Sequence, residues 1–478
     1  MWTRAHGIRG TNALATHTLV TGRLLAARLA LLLLTATPLA AQQARVTSTT
    51  TVRYVDMLPL ALDSATGDYT SAPKQSATPL TQDFEISAWG LGIPGLRAYG
   101  LVRFRGALGS DLVWPRYGDH FDALLGFLEL DRSSWRVRAG RLQQVSGLGI
   151  YTYDGGSAMW RPKPFARVEG FVGRGLARGF LEPLNSEEIT SLDPLRPDQG
   201  TLYFGFAGSV ALRQGWRGSA IYQREILTDW SGIVSERGAL DVQGPVSRAV
   251  TLTGSIDADF AAKAVGRARL AAAWRQRRGM VEVEAFRYRP VFDLTTIWGA
   301  FAPEGHQGLG ARGEFIARPN LTLNAAVSYR KYKPVTETTP FLVGVGDNST
   351  ALTLGGRWTR QAWSVDAHYQ LLGGFGGAMS GGDVRVGWAP VEARWSAGLR
   401  GVAFQQEQQF RVADGTVFGL GADGSLRLRE SLSIHGDLSQ YWHRPSEGDV
   451  VLNWSQTRGL LTIQWTFGAD ADRVGSYR

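Results

Sequence analysis

Histidine is the side chain that a hydrolytic or metal site would need most, and beyond residue 41 the sequence carries His120, His306, His368, His435 and His443. One of them has a suggestive spacing. Ser433, His435 and Asp437 fall at i, i+2 and i+4, the residue types of a nucleophile, its base and the acid that orients the base. Asp257 with Asp259, and Glu282 with Glu284, repeat the i, i+2 spacing in carboxylates, which suits either a cation or a charged wall. Asp347-Asn348-Ser349 offers oxygen ligands but is first of all a turn signal. Gly373-Gly374-Phe375-Gly376-Gly377 opens no helix, so it reads as a loop tip and not as a phosphate cradle. The absence of cysteine excludes disulfides, thiol nucleophiles, cysteine-zinc sites and a lipidated cysteine. Arginine is the recurrent charge: Arg97, Arg103 and Arg105, then Arg136 and Arg138, then Arg167 beside Glu169.

An i, i+2 spacing brings side chains to one face only in a strand. The sequence alternates in this way from end to end. In 321–330, Leu321, Leu323, Ala325, Val327 and Tyr329 oppose Thr322, Asn324, Ala326, Ser328 and Arg330; in 363–371, Trp363, Val365, Ala367, Tyr369 and Leu371 oppose Ser364, Asp366, His368 and Gln370. Segments 250–259 and 96–105 behave likewise. Trp135, Trp216, Trp358, Trp363, Trp388, Trp395 and Trp465 sit near strand ends, where interfacial aromatics belong. The runs are about 9–13 residues, close to what crosses a bilayer at a tilt.

Connections alternate between short turns, such as Ile93-Pro94-Gly95, Arg132-Ser133 and Ala389-Pro390, and long loops, such as 57–82, 106–119, 145–155, 176–199, 290–307 and 333–349. Short periplasmic turns and long external loops are the pattern of outer-membrane barrels. The expectation is therefore an all-β, antiparallel, up-and-down transmembrane barrel of about 22 strands, within 18–22, with no plug domain. The weakest strands are 156–161 and 232–242. A hole of that size without a plug needs narrowing, and loops 176–199 and 290–307 are the candidates to fold inward.

Residues 1–28 carry four arginines, Leu29 to Leu34 form an apolar run, and small residues follow to Ala41. This is the layout of a secretory signal peptide, with 1–41 removed, 42–467 forming the barrel and 468–478 a tail. The basic region is longer than export needs, which points to a start downstream of Met1. The net charge of +9 falls to +5 without those four arginines, too mild to call for nucleic acid. Glycine (59) and tryptophan (16) are abundant and charged residues are only 19%, as a lipid-facing aromatic-belted wall requires and a soluble globule does not.

Gly459 to Phe467 is an apolar strand with Leu461, Ile463, Trp465 and Phe467 on one face. It resembles the C-terminal strand that the barrel-assembly machinery recognises, with Gly459, Trp465 and Phe467 as its signal, although Gly468 to Arg478 follow it. Val137-Arg138-Ala139-Gly140-Arg141, then Tyr153-Asp154-Gly155, then Arg167 and Glu169, resemble a run of about 40 residues in porin-like and alginate-export-like barrels, where a Gly-Arg strand end precedes an Asp-Gly turn. Phe292 to Phe301 is similar to a loop or lid of barrels without an assigned role.

Alternation turns Arg97, Arg103, Arg105, Arg136, Arg138 and Arg167 inward as a basic stripe, with Glu169, Asp257, Asp259, Glu282 and Glu284 as the acidic lining. Two readings stand side by side: a field that favours anions, or cross-strand pairing that merely solvates the interior. The same alternation turns Ser433, His435 and Asp437 inward, away from lipid, so a lipid hydrolase is not expected. The functional expectation is a passive channel for small polar solutes, anions or acidic sugars among them. The alternative is a structural or partner-binding barrel closed by its loops. No cofactor or metal is expected, and the partners are outer-membrane lipid, the assembly machinery and a small polar solute. Self-association stays open, since trimer and lipid faces are equally apolar.

Overall fold

Residues with period-2 hydrophobicity and β-branched or aromatic apolar positions can bury one face only by pairing edge to edge, and a long meander of them removes its edges by closing. The computed structural model shows this outcome. It describes residues 43–468 apart from 58–59, 63–68, 72, 110–120, 179–199, 213, 231, 262, 290–304, 333–346, 375–377, 408–414 and 446–452. The strands are β1 (Gln43–Met57), a small hairpin of β2 (Leu60–Leu62) and β3 (Tyr69–Ser71), then β4 (Gln75–Trp89), β5 (Leu96–Gly109), β6 (Phe121–Asp131), β7 (Trp135–Ser146), β8 (Gly149–Lys163) and β9 (Ala166–Arg178). They continue as β10 (Thr201–Ala211), β11 (Arg217–Leu227), β12 (Ile233–Pro245), β13 (Val250–Asp259), β14 (Ala264–Gln276), β15 (Gly279–Tyr288), β16 (His306–Arg318) and β17 (Leu321–Tyr332). The last are β18 (Asn348–Arg360), β19 (Trp363–Gly374), β20 (Ala378–Trp388), β21 (Trp395–Glu407), β22 (Gly415–Arg429), β23 (Leu432–Pro445) and β24 (Trp454–Gly468).

Apart from β2 and β3, these strands form one 22-stranded antiparallel sheet, and β1 pairs with both β4 and β24 to close it. Among the described residues there is no helix. Strands of 10–15 residues around 22 staves give a cylinder roughly 40 Å across.

One hydrogen-bonded row shows the tilt. It runs Trp135, Trp160, Val168, Gly208, Ala220, Leu240, Ile256, Ala268, Arg287, Gln307 and Lys331. Trp135 opens β7 beside a short turn, whereas Lys331 is next to last in β17, beside a long loop. The row climbs from one rim to the other, which is the stagger a closed barrel demands.

The outward face is apolar. Leu128, Leu240, Leu270, Val283, Leu309, Leu399, Leu420 and Leu438 are each 48–65% exposed on the free surface. Such a cylinder is stable only in hydrocarbon. Tryptophans ring the end with the short turns: Trp135 pairs with Trp160 and Trp363 with Trp388, and Trp388 lies 4.2 Å from Trp395. The turns there are tight. In 90–95, Gly95 has φ +78°, and a Cβ on it would meet the Asp131 carbonyl at 2.2 Å.

Two expectations change. Residues 145–155 are not a loop: β7 and β8 run through them as a hairpin, with Ser146 opposite Gly149 and only Gly147 and Leu148 between. Asp154-Gly155 is accordingly no turn but mid-strand, opposite Arg141 and Gly140. The glycines and serine there suggest a loop by composition, yet backbone pairing with β9 continues as far as Tyr151 and Arg178. The inward candidates 176–199 and 290–307 lie mostly outside the described residues, as do 1–41 and the tail after Gly468.

Candidate functional site

The β7–β8 hairpin defines the interior. Its tip touches strands four and six staves beyond β8: Arg237 Nη1 of β12 donates to the Leu148 carbonyl at 3.3 Å, and Arg267 Nη2 of β14 to the Gly147 carbonyl at 3.2 Å. On a closed cylinder, strands so far apart can meet only across the inside. The hairpin therefore leaves the wall and lies over the inner faces of its neighbours. Leu142, Leu148, Tyr151, Tyr153, Phe171, Tyr203 and Ile221 form the apolar cluster beneath it, with Leu142, Leu148 and Tyr153 wholly buried. Tyr151 stacks on Tyr203 at 5.1 Å and 7°, and Phe171 on Tyr203 at 5.2 Å.

The wall makes room by omitting side chains. A Cβ on Gly173 would stand 2.8 Å from the Tyr153 ring, and one on Gly205 2.7 Å from the Phe171 ring. Around the cluster lie buried polar groups: Tyr203 Oη donates to Gln223 at 3.1 Å, Thr201 bonds to Glu225, and Arg237 is 3% exposed. Arg237 Nη2 is 3.8 Å and Arg267 Nε 3.9 Å from Asp257, whose Oδ1 also accepts the Arg267 backbone N–H at 2.7 Å. Asp259 stands opposite Arg237 in the register and is likewise buried.

Because Arg237 and Arg267 face inward, the parity of their strands, carried around the sheet, sets the inner face of the others. Arg97, Arg103 and Arg105 share it on β5. Arg103 makes a two-pronged pair with Asp83 at 2.7 and 2.8 Å, Arg105 meets Asp122 at 2.7 Å, and Arg97 lies opposite Glu129. Arg138 reaches across β8 to Glu169 at 2.6 Å, its Nε donating to Ser157 on the way at 3.2 Å. Arg136 lies between Glu129 (3.8 Å) and Glu169 (3.9 Å). Arg167 donates to Ser209 at 2.6 Å. Glu282 and Glu284 clamp Arg269 at 2.7 and 2.6 Å, and Glu282 also takes Arg312 at 2.9 Å. Further round, Arg385 of β20 joins Asp423 of β22 at 2.6 Å.

The wall is thus a ladder of ion pairs that spans two or three staves at a time; of the i, i+2 acids Asp257, Glu282 and Glu284 engage arginines, and Asp259 lies opposite Arg237 in the register. Arg97, Arg167, Arg275 and Arg330 share the inward parity and have no carboxylate within ion-pair distance among the described residues.

Ser433, His435 and Asp437 share the inner face of β23, but same-face neighbours on a strand stand ~6.5–7 Å apart. Among the described residues no hydrogen bond joins the three, so they are spaced as lining and not as a relay. Gly459, Trp465 and Phe467 lie on the closing strand, where Tyr54, Ser48 and Val46 of β1 face them; the Trp465 and Phe467 rings are 5.3 Å apart.

The residues that sequence reasoning missed are those of the tip: Gly147, Leu148, Tyr151, Arg237 and their partners. A signal existed. Leu142, Tyr151 and Tyr153 put apolar bulk on the polar parity, and a strand apolar on both faces is covered on both.

No protein-family model matches the sequence, and no curated protein does. Solved structures do. A BenF-like porin from Pseudomonas fluorescens Pf-5 is 12% identical over 89% of this chain and 98% of its own, with a TM-score of 0.44. OccAB2 of Acinetobacter baumannii is 9% identical over 90% and 99%, at 0.43, and Pseudomonas aeruginosa OpdK, solved with vanillate, 11% over 89% and 100%, at 0.35. The closed 22-stranded sheet and its apolar, tryptophan-ringed outer face make the chain a transmembrane β-barrel of the outer-membrane type. Alginate exporters are not among these three. At such identities the likeness says nothing of the lumen, whose properties rest on this chain's own residues.

Proposed function

We propose that the barrel is a passive channel for small polar solutes with a preference for anions. The observation that carries this reading is the lining: ion pairs over much of the wall, with Arg97, Arg167, Arg275 and Arg330 facing inward without a carboxylate partner among the described residues. Paired charges keep the interior wetted and create local transverse fields, while the surplus arginines bias it toward negative solutes. The β7–β8 hairpin supplies narrowing for a 22-stranded barrel whose described residues include no plug. Acidic sugars fit such a wall, since ladders of arginine and carboxylate match hydroxyls and carboxylates together. On this reading residues 1–41 direct export, and Gly459, Trp465 and Phe467 present the closing strand to the assembly machinery. Liposome swelling with a panel of neutral, anionic and cationic solutes tests it. Faster entry of small anions supports it; the absence of any swelling or single-channel current would favour a closed, partner-binding barrel.

A further inference from the structure

We infer that the outer wall over β12–β17 carries a specific site for a phosphorylated glycolipid of the outer leaflet. A groove of about 520 Å³ opens on the outside of the barrel here. Gly254, Ala268 and Ala285 leave its floor low, and Leu240, Ile256 and Leu270 wall it. The groove lies on the apolar outer face, so hydrocarbon fills it in the membrane, and the question is which lipid that hydrocarbon belongs to.

The rim answers by charge. Arg287 and Gln307 border the groove, and Lys331 follows in the same hydrogen-bonded row, at the end next to the long loops. That end faces the cell exterior, since the closing strand and the short turns mark the periplasmic rim. Of the other outward cations, Lys74 meets Asp56 at 2.7 Å and Arg141 meets Asp154 at 2.8 Å, whereas Arg174 and Arg444 have no ion pair among the described residues and border no such groove. Arg287 is exposed and has no ion pair among the described residues. Lys331 is 58% exposed, with Asp347 at the limit of pairing, 4.0 Å away. Cations held at headgroup height above an apolar groove fit phosphate over an acyl chain, because the guanidinium fork binds phosphate with two parallel bonds. A solute anion would find no use for the groove, and a zwitterionic lipid no use for the excess charge.

The test uses the whole barrel in detergent, with native mass spectrometry reading the binding of three probes: a bis-phosphorylated, acylated glucosamine disaccharide, its dephosphorylated form, and phosphatidylethanolamine. The phosphorylated lipid should bind most tightly. Arg287→Gln should weaken it about fivefold, the worth of one cation at a lipid surface, and leave the dephosphorylated form unchanged. Arg287→Lys should restore most of the loss. Ala268→Leu, which fills the groove floor, should weaken both glycolipids. Heat-dependent gel mobility checks that each variant is folded. Equal binding of the phosphorylated and dephosphorylated probes, or an Arg287→Gln barrel that binds as the parent does, would overturn the inference.

Discussion

Leu148 is the side chain on which the seating of the hairpin depends, and Leu148→Ala is the perturbation with the most definite consequence. The residue is wholly buried although it sits at the tip of a hairpin, because the tip presses into the inner wall near Ala239 and Ile221. Removing a fully buried leucine side chain costs about 3 kcal/mol, and that loss falls on the docked hairpin alone, since the barrel wall keeps its own pairing. The ratio of docked to undocked hairpin should drop about 150-fold. In planar bilayers the parent should hold one conductance level. The variant should step between that level and a larger one, as the hairpin leaves and re-enters the lumen. Melting of the barrel itself should change little. An unchanged single level, with unchanged current noise, would refute the reasoning that the hairpin narrows the pore and is seated by Leu148.

Changing Arg103 and Arg138 together to Ala should move the reversal potential towards cations, because Asp83 then loses its partner and Glu169 keeps only Arg136 at 3.9 Å; ion selectivity in a salt gradient is the check. Asp257→Asn should destabilise the barrel by about 3 kcal/mol or more in urea, since Arg237 is left buried without that countercharge. Leu399→Arg, on the lipid face, should cost about 2–4 kcal/mol in the same assay, whereas Thr353→Arg, on the lumen face, should cost far less and alter conductance instead. Gly205→Ala should unfold at lower urea than the parent, because its Cβ would meet the Tyr222 carbonyl at 2.2 Å and the Phe171 ring at 2.7 Å.

The barrel itself was readable because every stave repeats one rule. Runs such as 321–330 and 363–371 show the face, and alternating connection lengths show the up-and-down path, so small boundary errors leave the strand number intact. The β7–β8 tip was not readable in the same way. Ser146, Gly149, Gly155 and Gly156 have loop composition, and only cross-strand pairing, of β7 with β8 and of Gly155 and Gly156 with β9, makes them strand. The inward direction of the arginines followed from parity. Their partners did not, because Arg138 and Glu169 lie two staves and 31 residues apart, and register decides which acid meets which base. The overlooked clue was apolar: Leu142, Tyr151 and Tyr153 on a face that should have been wet.

The inward hairpin is open to a direct covalent test, because the chain has no cysteine of its own. A Cβ placed on Gly147 would stand 3.8 Å from the Ala239 Cβ, the mean separation across a disulfide. The Gly147→Cys, Ala239→Cys barrel should therefore form one internal disulfide on oxidation, seen as the loss of two hydrogens by intact mass. Its conductance should stay at the parent level, because the lock holds the hairpin where it already lies. Two free thiols after oxidation, or a disulfide that abolishes or enlarges the current, would contradict a lumen narrowed by the β7–β8 hairpin.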